Sequence, residues 1–145
     1  MNRFLLLTLV TFLFSCSNSS EENSSTASNN YSELLVGKWT YVSYRTNGGS
    51  TNPFVHSGED CSNFQPDYIE FTKEGRYIQF AYLNCEEDFV VDKLYKLNEV
   101  DITVTDEKTG DKAFDSKILE ISENTLILRT EVPNIILEES FKKIK

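Results

Sequence analysis

Asp67-Tyr68-Ile69-Glu70-Phe71, then Thr72-Lys73-Glu74-Gly75, then Arg76-Tyr77-Ile78-Gln79-Phe80-Ala81-Tyr82 reads as two short strands around a turn. β-branched and aromatic residues recur at every second position on both sides, and Gly75 supplies the positive φ that a tight hairpin connection needs. Working outward from this hairpin, the period stays at two and never becomes 3.6. Strands are expected over residues 38–44, 67–71, 76–82, 89–97, 100–105, 114–121, 125–132 and 135–144, separated by turn residues such as Asn98-Glu99, Thr109-Gly110-Asp111, Ser122-Glu123-Asn124 and Pro133-Asn134. That gives eight.

One alternate set along these strands is apolar: Trp39 and Tyr41, Ile69 and Phe71, Ile78, Phe80 and Tyr82, Val100, Ile102 and Val104, Leu126 and Leu128, Leu137 and Phe141. The other set holds Lys38, Thr40, Glu70, Asp101, Thr103, Arg129 and Glu131, with Ile127 and Ile135 as exceptions. This is an antiparallel sheet with one wet face. No helical stretch long enough to cover the apolar face follows, so the sheet closes on itself or packs on a second sheet. The expected fold is all-β, an eight-stranded antiparallel up-and-down barrel, because every connection after the first is short enough to join neighbours. A sandwich of the same strands is the rival.

The chain has 145 residues, with 14 Lys+Arg against 23 Asp+Glu and a net charge of -9. That length holds one domain, and a hydrophobic share of 39% is enough for a real core. So acidic a chain, with no basic run before Lys142-Lys143, argues against a nucleic-acid partner.

Residues 1–15 carry Arg3 and then an apolar run from Phe4 broken only by Thr. This pattern is a secretory signal, too short to span a bilayer. The junction Leu13-Phe14-Ser15-Cys16 resembles the lipobox of bacterial lipoproteins, which implies cleavage before Cys16 and its lipidation by a diacylglyceryl group and an amide-linked acyl chain such as palmitate. Two such anchors hold a protein to a membrane without spanning it. Cleavage removes Arg3 and leaves a formal charge of -10. Residues 17–32 are mostly Ser, Asn, Glu and Thr, a composition expected to form a flexible linker of roughly 20 to 25 Å reach. The chain thus divides into a signal peptide over 1–15, a lipidated Cys and linker over 16–32, and a barrel over 33–145. Glu21-Glu22 resembles the acidic export signals of some Bacteroidota surface lipoproteins, and a solvated linker explains the pair equally well. The expected location is the bacterial cell envelope, on the outer membrane.

Leu34-Leu35-Val36-Gly37-Lys38-Trp39 at the start of the first strand is similar to the Gly-x-Trp signature of lipocalins and of the lipocalin-like domain of Bacteroidota lipoproteins. The order that follows resembles that domain too: a Cys in the first long loop, an apolar strand, a Gly turn, a second Cys and a late hairpin containing Leu126-Ile127-Leu128. The resemblance covers residues 33–145. It implies that Trp39 closes the barrel floor, covered by an Arg from a late strand, for which Arg129 is the candidate. It also implies that the loop 45–66 arches over an open cavity mouth.

Cys61 lies in that loop and Cys85 just after the third strand, so a meander puts both at one end of the barrel. With Cys16 lipidated the remaining count is even, and a Cys61–Cys85 disulfide is expected in an exported compartment; free thiols or a metal pair are the alternatives. The loop contents from Asn47 to His56 suit either a lid tipped by Phe54-Val55 or a tolerated insertion. Glu59-Asp60, Glu86-Glu87-Asp88 and Asp106-Glu107 make an acidic rim, but the run Asp106 to Asp111 lacks the spacing of a calcium loop, so no metal is nominated. His56 has no second His and no thiol partner in sequence reach, Ser is too common to nominate as a nucleophile without one, and no catalytic residue or cofactor is nominated. Lys142, Lys143 and Lys145 read as a solvated basic end.

The interior remains. Trp39, Tyr41, Phe71, Phe80, Tyr82, Phe89, Tyr95 and Phe141 are the candidate inward aromatics, suited either to a small hydrophobic ligand or simply to filling the barrel. The reading is a membrane-anchored, non-enzymatic binding protein for a small hydrophobic molecule. The alternative is a surface interaction module with a filled barrel.

Overall fold

The structure, a computed structural model, describes residues 28–83 and 85–145, and of residues 28, 29, 83 and 87–90 the backbone alone. The expected signal peptide, the expected lipidation site Cys16 and the first part of the expected linker lie outside the described residues.

A short helix α1 (Ser28–Leu35) precedes β1 (Gly37–Thr46), β2 (Asn52–Pro53), β3 (Tyr68–Phe71), β4 (Arg76–Leu83), β5 (Glu86–Asn98), β6 (Asp101–Thr105), β7 (Lys112–Ile121), β8 (Thr125–Val132) and β9 (Ile135–Lys143). Leaving aside β2, every strand pairs antiparallel with its neighbour in sequence, and β1 pairs with β9 from Trp39–Lys143 to Thr46–Leu137. Eight strands therefore close into an up-and-down barrel with no free edge. Register shifts after Tyr41, Ala81, Val104 and Ile118 bend the strands as closure requires, and the bulge residues Val42 and Leu119 are turned out and exposed.

The inner face follows the register. Trp39 pairs with Ile69, Ile69 with Gln79, and Gln79 with Val91; on the other side Tyr41 pairs with Phe141 and Phe141 with Leu126. Trp39, Ile69, Phe71, Ile102, Val104, Leu126 and Phe141 are almost wholly buried.

Two expectations are corrected here. Helix α1 starts at Ser28, inside the stretch read as linker. An eight-residue helix has little stability alone, and this one is held by tertiary packing: Leu35 is 0% exposed and Tyr31 packs on the core. The second correction concerns β4. The β3–β4 connection is a three-residue loop, 73–75, closed by the Thr72 N–H to Arg76 carbonyl bond, with Gly75 at φ +81°. Phe71 therefore pairs with Tyr77 and not with Arg76. A one-residue slip exchanges the faces of a whole strand. Tyr77 and Gln79 face inward, while Ile78, Phe80 and Tyr82 lie on the outer face, where Phe80 stacks on Tyr68 at 5.1 Å.

Candidate functional site

The barrel floor is built around Trp39. Its indole N–H donates to the Leu35 carbonyl at 2.8 Å, so α1 is fastened beneath the barrel by a buried hydrogen bond. Arg129 does not cover it. The register puts Arg129 opposite Glu138 on the outer face, where it binds Glu131. Lys143 takes that place: it pairs with Trp39, sets its ammonium 4.8 Å from the ring centroid and donates to the Leu34 carbonyl at 2.9 Å. The residue expected in a solvated terminus is thus part of the floor. Gly37, at φ +132°, leaves room for its stem, since a Cβ there would stand 2.7 Å from Lys143 Cε.

The first long loop is a wall rather than a lid. β3 is only four residues long, and above it the gap between β1 and β4 is filled by residues 52–67. β2 pairs with Ser43 and Tyr44, and the Phe54 N–H donates to the Val42 carbonyl. Phe54 stacks on Tyr41 at 4.5 Å. Buried Asp67 holds the other side: its carboxylate accepts from Tyr82 N at 2.9 Å and Ser57 N at 3.3 Å, while its own N–H donates to His56 Nδ1 at 3.1 Å. Cys61 and Cys85 form the expected disulfide, which fixes this loop to the β4–β5 turn. Gly58 lies so close to Tyr82 that a Cβ would stand 2.9 Å from Tyr82 Cβ. This cover is why the outer face of β4 carries aromatics.

Inside the barrel is a cavity of about 310 Å³. It lies at the lower end of the ~300 to 1,000 Å³ usual for small-molecule sites. Of the eight aromatic candidates, Tyr41, Phe71 and Phe141 line it. Trp39 is buried in the floor below, and Tyr95 packs edge-on to Phe71 with its hydroxyl on the Thr72 carbonyl. Phe80 and Tyr82 are outside, and Phe89, in register with Ala81, belongs to the residues described by backbone alone. Sequence reasoning missed Tyr77, Gln79, Phe114, Ser116, Thr130 and Glu139, all of which line the cavity. For Glu139 the signal was present, since it shares parity with Leu137 and Phe141. The lining residues Ala113 and Val132 are exposed, so the cavity opens at the end of the barrel where β7 starts and β8 ends.

Its polar groups are few. Gln79 Nε2 donates to Tyr41 Oη at 3.1 Å, and Ser116 and Thr130 share a hydrogen bond of 2.6 Å. The Glu139 carboxylate has no hydrogen-bond donor among the described residues. Burial raises its pKa to about 7, because a charge removed from water is disfavoured. Burial likewise pushes the Tyr41 and Tyr77 phenols well above the ordinary tyrosine range, with Glu139 adding to both. Such a lining can bind, orient and exchange a proton. Among the described residues no three His, Cys, Asp or Glu converge as metal ligands, and the rim acids Asp106 and Glu107 are paired with Lys93 and Arg76.

The closed eight-stranded meander has counterparts among solved structures. An uncharacterized protein of Bacteroides eggerthii matches with a TM-score of 0.54 and 17% identity over 76% of this chain and 99% of that one. A lipocalin-like protein of Bacteroides uniformis matches at 0.53 and 18%, over 76% and 98%. This chain has a lipocalin-like fold. The lipocalin-like barrel occupies the C-terminal four-fifths of the sequence, and at these identities the likeness extends to the fold alone. No protein-family model and no curated protein sequence matches the chain. Among the described residues no helix is long and apolar enough to cross a membrane.

Proposed function

We propose that this protein is a lipid-anchored, lipocalin-like binding protein of the bacterial cell envelope, holding one small, largely apolar molecule inside its barrel without transforming it. The observation that carries this reading is the cavity: about 310 Å³ between Tyr41, Phe71 and Phe141, reached from one end of the barrel. Interiors pack to crystal density and rarely leave space larger than a few waters, so a void of this size lined mainly by apolar groups suits a guest. The lipobox at Leu13 to Cys16 supports the anchor, and the Cys61–Cys85 disulfide suits an oxidising compartment outside the cytoplasm. Glu21-Glu22 supports placement on the outer membrane, facing outward. With one His in the chain, its Nδ1 already accepting from the Asp67 N–H, the reading includes no bond-making step.

Native mass spectrometry tests it. The full chain carrying Cys16→Ser, which keeps the expected export signal but takes no lipid, is incubated with envelope extract of its own host, repurified and weighed under native and denaturing conditions. A non-covalent adduct of a few hundred daltons is expected. A bare polypeptide contradicts the reading and favours an interaction module that meets its partner through the outer face.

A further inference from the structure

Among the described residues the cavity contains one formal charge, and it is negative. Glu139 sits on β9 between Leu137 and Phe141, in register with Leu128 on β8, with its carboxylate among the lining groups and no donor supplied by the described residues. No Lys, Arg or His is among the described residues that line the space. The cations nearest by register, Arg45 beside Tyr44 on β1 and Arg129 beside Leu128 on β8, are engaged on the outer face with Glu138 and Glu131. Lys93, paired with Tyr77, binds Asp106 at 2.9 Å, and Lys143 lies on Trp39 and the Leu34 carbonyl.

Glu139 is half-buried, and a carboxylate drawn partly out of water without a partner is destabilised; what offsets this is a cation that also donates hydrogen bonds. The rest of the lining favours the same guest. The Gln79 side-chain oxygen has no described donor, and the faces of Tyr41, Phe71, Tyr77 and Phe141 offer the negative quadrupole that attracts an ammonium. An anionic guest would meet like charge with nothing to balance it. The net charge of -9 also raises the local concentration of cations.

We propose that the barrel cavity is a site for a small organic amine, an ammonium group on an apolar or aromatic body, with the Glu139 carboxylate as its counter-ion and the cavity aromatics around its body. This rests on the binding reading above and narrows it to one ligand class. The ammonium donates to the Glu139 carboxylate, and the side-chain oxygen of Gln79 is a second acceptor in the lining. The body occupies the apolar remainder.

The test uses three probes of matched size: 2-phenylethylamine, 2-phenylethanol and 3-phenylpropionate. Each is titrated calorimetrically into the exported chain carrying Cys16→Ser and into the same chain carrying Glu139→Gln as well. The amine is expected to bind the first chain about tenfold to a hundredfold more tightly than the alcohol, the span of one charge-assisted hydrogen bond, with the anion weakest. Glu139→Gln is expected to collapse the amine-to-alcohol ratio to near one.

A second readout does not depend on that variant folding. With the carboxyl group titrating near pH 7, amine affinity is expected to fall about tenfold from pH 8 to pH 6 while the amine itself stays protonated. The other titratable groups facing Glu139 are the phenols of Tyr41 and Tyr44 on β1 and Tyr77 on β4; β8 contributes Leu128 and Thr130. Phenols ordinarily titrate near 10, outside this window. Equal binding of amine and alcohol, or an amine affinity indifferent to both Glu139→Gln and pH, overturns the counter-ion assignment and leaves the binding cavity standing. Binding of none of the three overturns both.

Discussion

Lys143 lies over the indole of Trp39 in the floor of the barrel, with 4.8 Å between its ammonium and the ring centroid, while the same ammonium donates to the Leu34 carbonyl. The last strand, the first strand and the preceding helix are tied at one point. Replacing Lys143 with Ala removes a cation–π contact, a hydrogen bond to a backbone carbonyl and the packing of the side-chain stem. A loss of about 2 kcal/mol is expected, read as a lower urea midpoint at unchanged m-value. A midpoint unmoved by Lys143→Ala would show that α1 and Trp39 are held without it.

Gly37→Ala is expected to destabilise the same corner by about 1 to 2 kcal/mol, because φ +132° suits only glycine and the new Cβ presses on Lys143 Cε. Thermal unfolding of Gly37→Ala, alone and combined with Lys143→Ala, separates the two causes. Strain from φ persists in the double variant, and the clash does not.

Glu139 makes stability depend on pH in an unusual direction. Its pKa is raised to about 7 in the folded chain and is near 4.3 to 4.5 when unfolded, so between these values the folded state binds more protons. Stability contributed by this group is therefore present below about pH 4.5 and lost as pH rises through 7. Glu139→Gln is expected to be more stable than the parent above pH 7, by up to about 3 kcal/mol, with the two curves converging near pH 4. Urea midpoints of both chains across pH 4 to 8 check this; parallel curves would mean that the carboxylate is solvated. Taking the difference between the chains removes the opposite trend of Asp106, which Lys93 and the backbone N–H groups of Thr109 and Lys108 hold down at about 2.

Much of this architecture is legible in the residues, because turn chemistry at Gly75, Asn98-Glu99, Ser122 to Asn124 and Pro133-Asn134 marks four of the hairpins and alternation marks the strands between them. Faces were harder to read than strands. Arg76 to Tyr82 carries apolar residues on both sides, and alternation alone favours Ile78, Phe80 and Tyr82 as the inner set. The three-residue loop 73–75 reverses this, and the outer aromatics are tolerated because residues 52–67 cover them. Residues 52–67 show no alternation in sequence that would mark them as barrel wall. The floor cation was missed because Lys143 looks like part of a charged tail, and only pairing with Trp39 shows which face it takes. Glu139 was missed differently: its parity was readable, but a lone acid among inward residues is easily passed over as surface.

The disulfide joins residues 24 apart in sequence. Cys61→Ser with Cys85→Ser is expected to lower stability by about 3 kcal/mol in the chain-entropy model. Urea unfolding of the parent with and without reductant provides the comparison. A reductant-insensitive midpoint would mean that the loop wall is held by Asp67 and β2 pairing alone.

Asp67→Ala leaves the N–H groups of Tyr82 and Ser57 without their acceptor, at a cost of about 2 to 3 kcal/mol. The effect is expected to be local, with faster hydrogen exchange over residues 52–66 and at Tyr82 and unchanged exchange in β7, β8 and β9. Uniform acceleration across all strands would show that the wall and barrel open together.

The central claim is that a half-buried carboxylate lines the barrel cavity where a cationic guest can reach it. The most direct measurement is a ¹³C carboxyl titration of Glu139 in glutamate-labelled protein, assigned by Glu139→Gln, with and without saturating 2-phenylethylamine. The account predicts titration near pH 7 in the free protein, moving down by about one unit or more when the amine is bound. Titration near the ordinary glutamate value, unmoved by the amine, would contradict it.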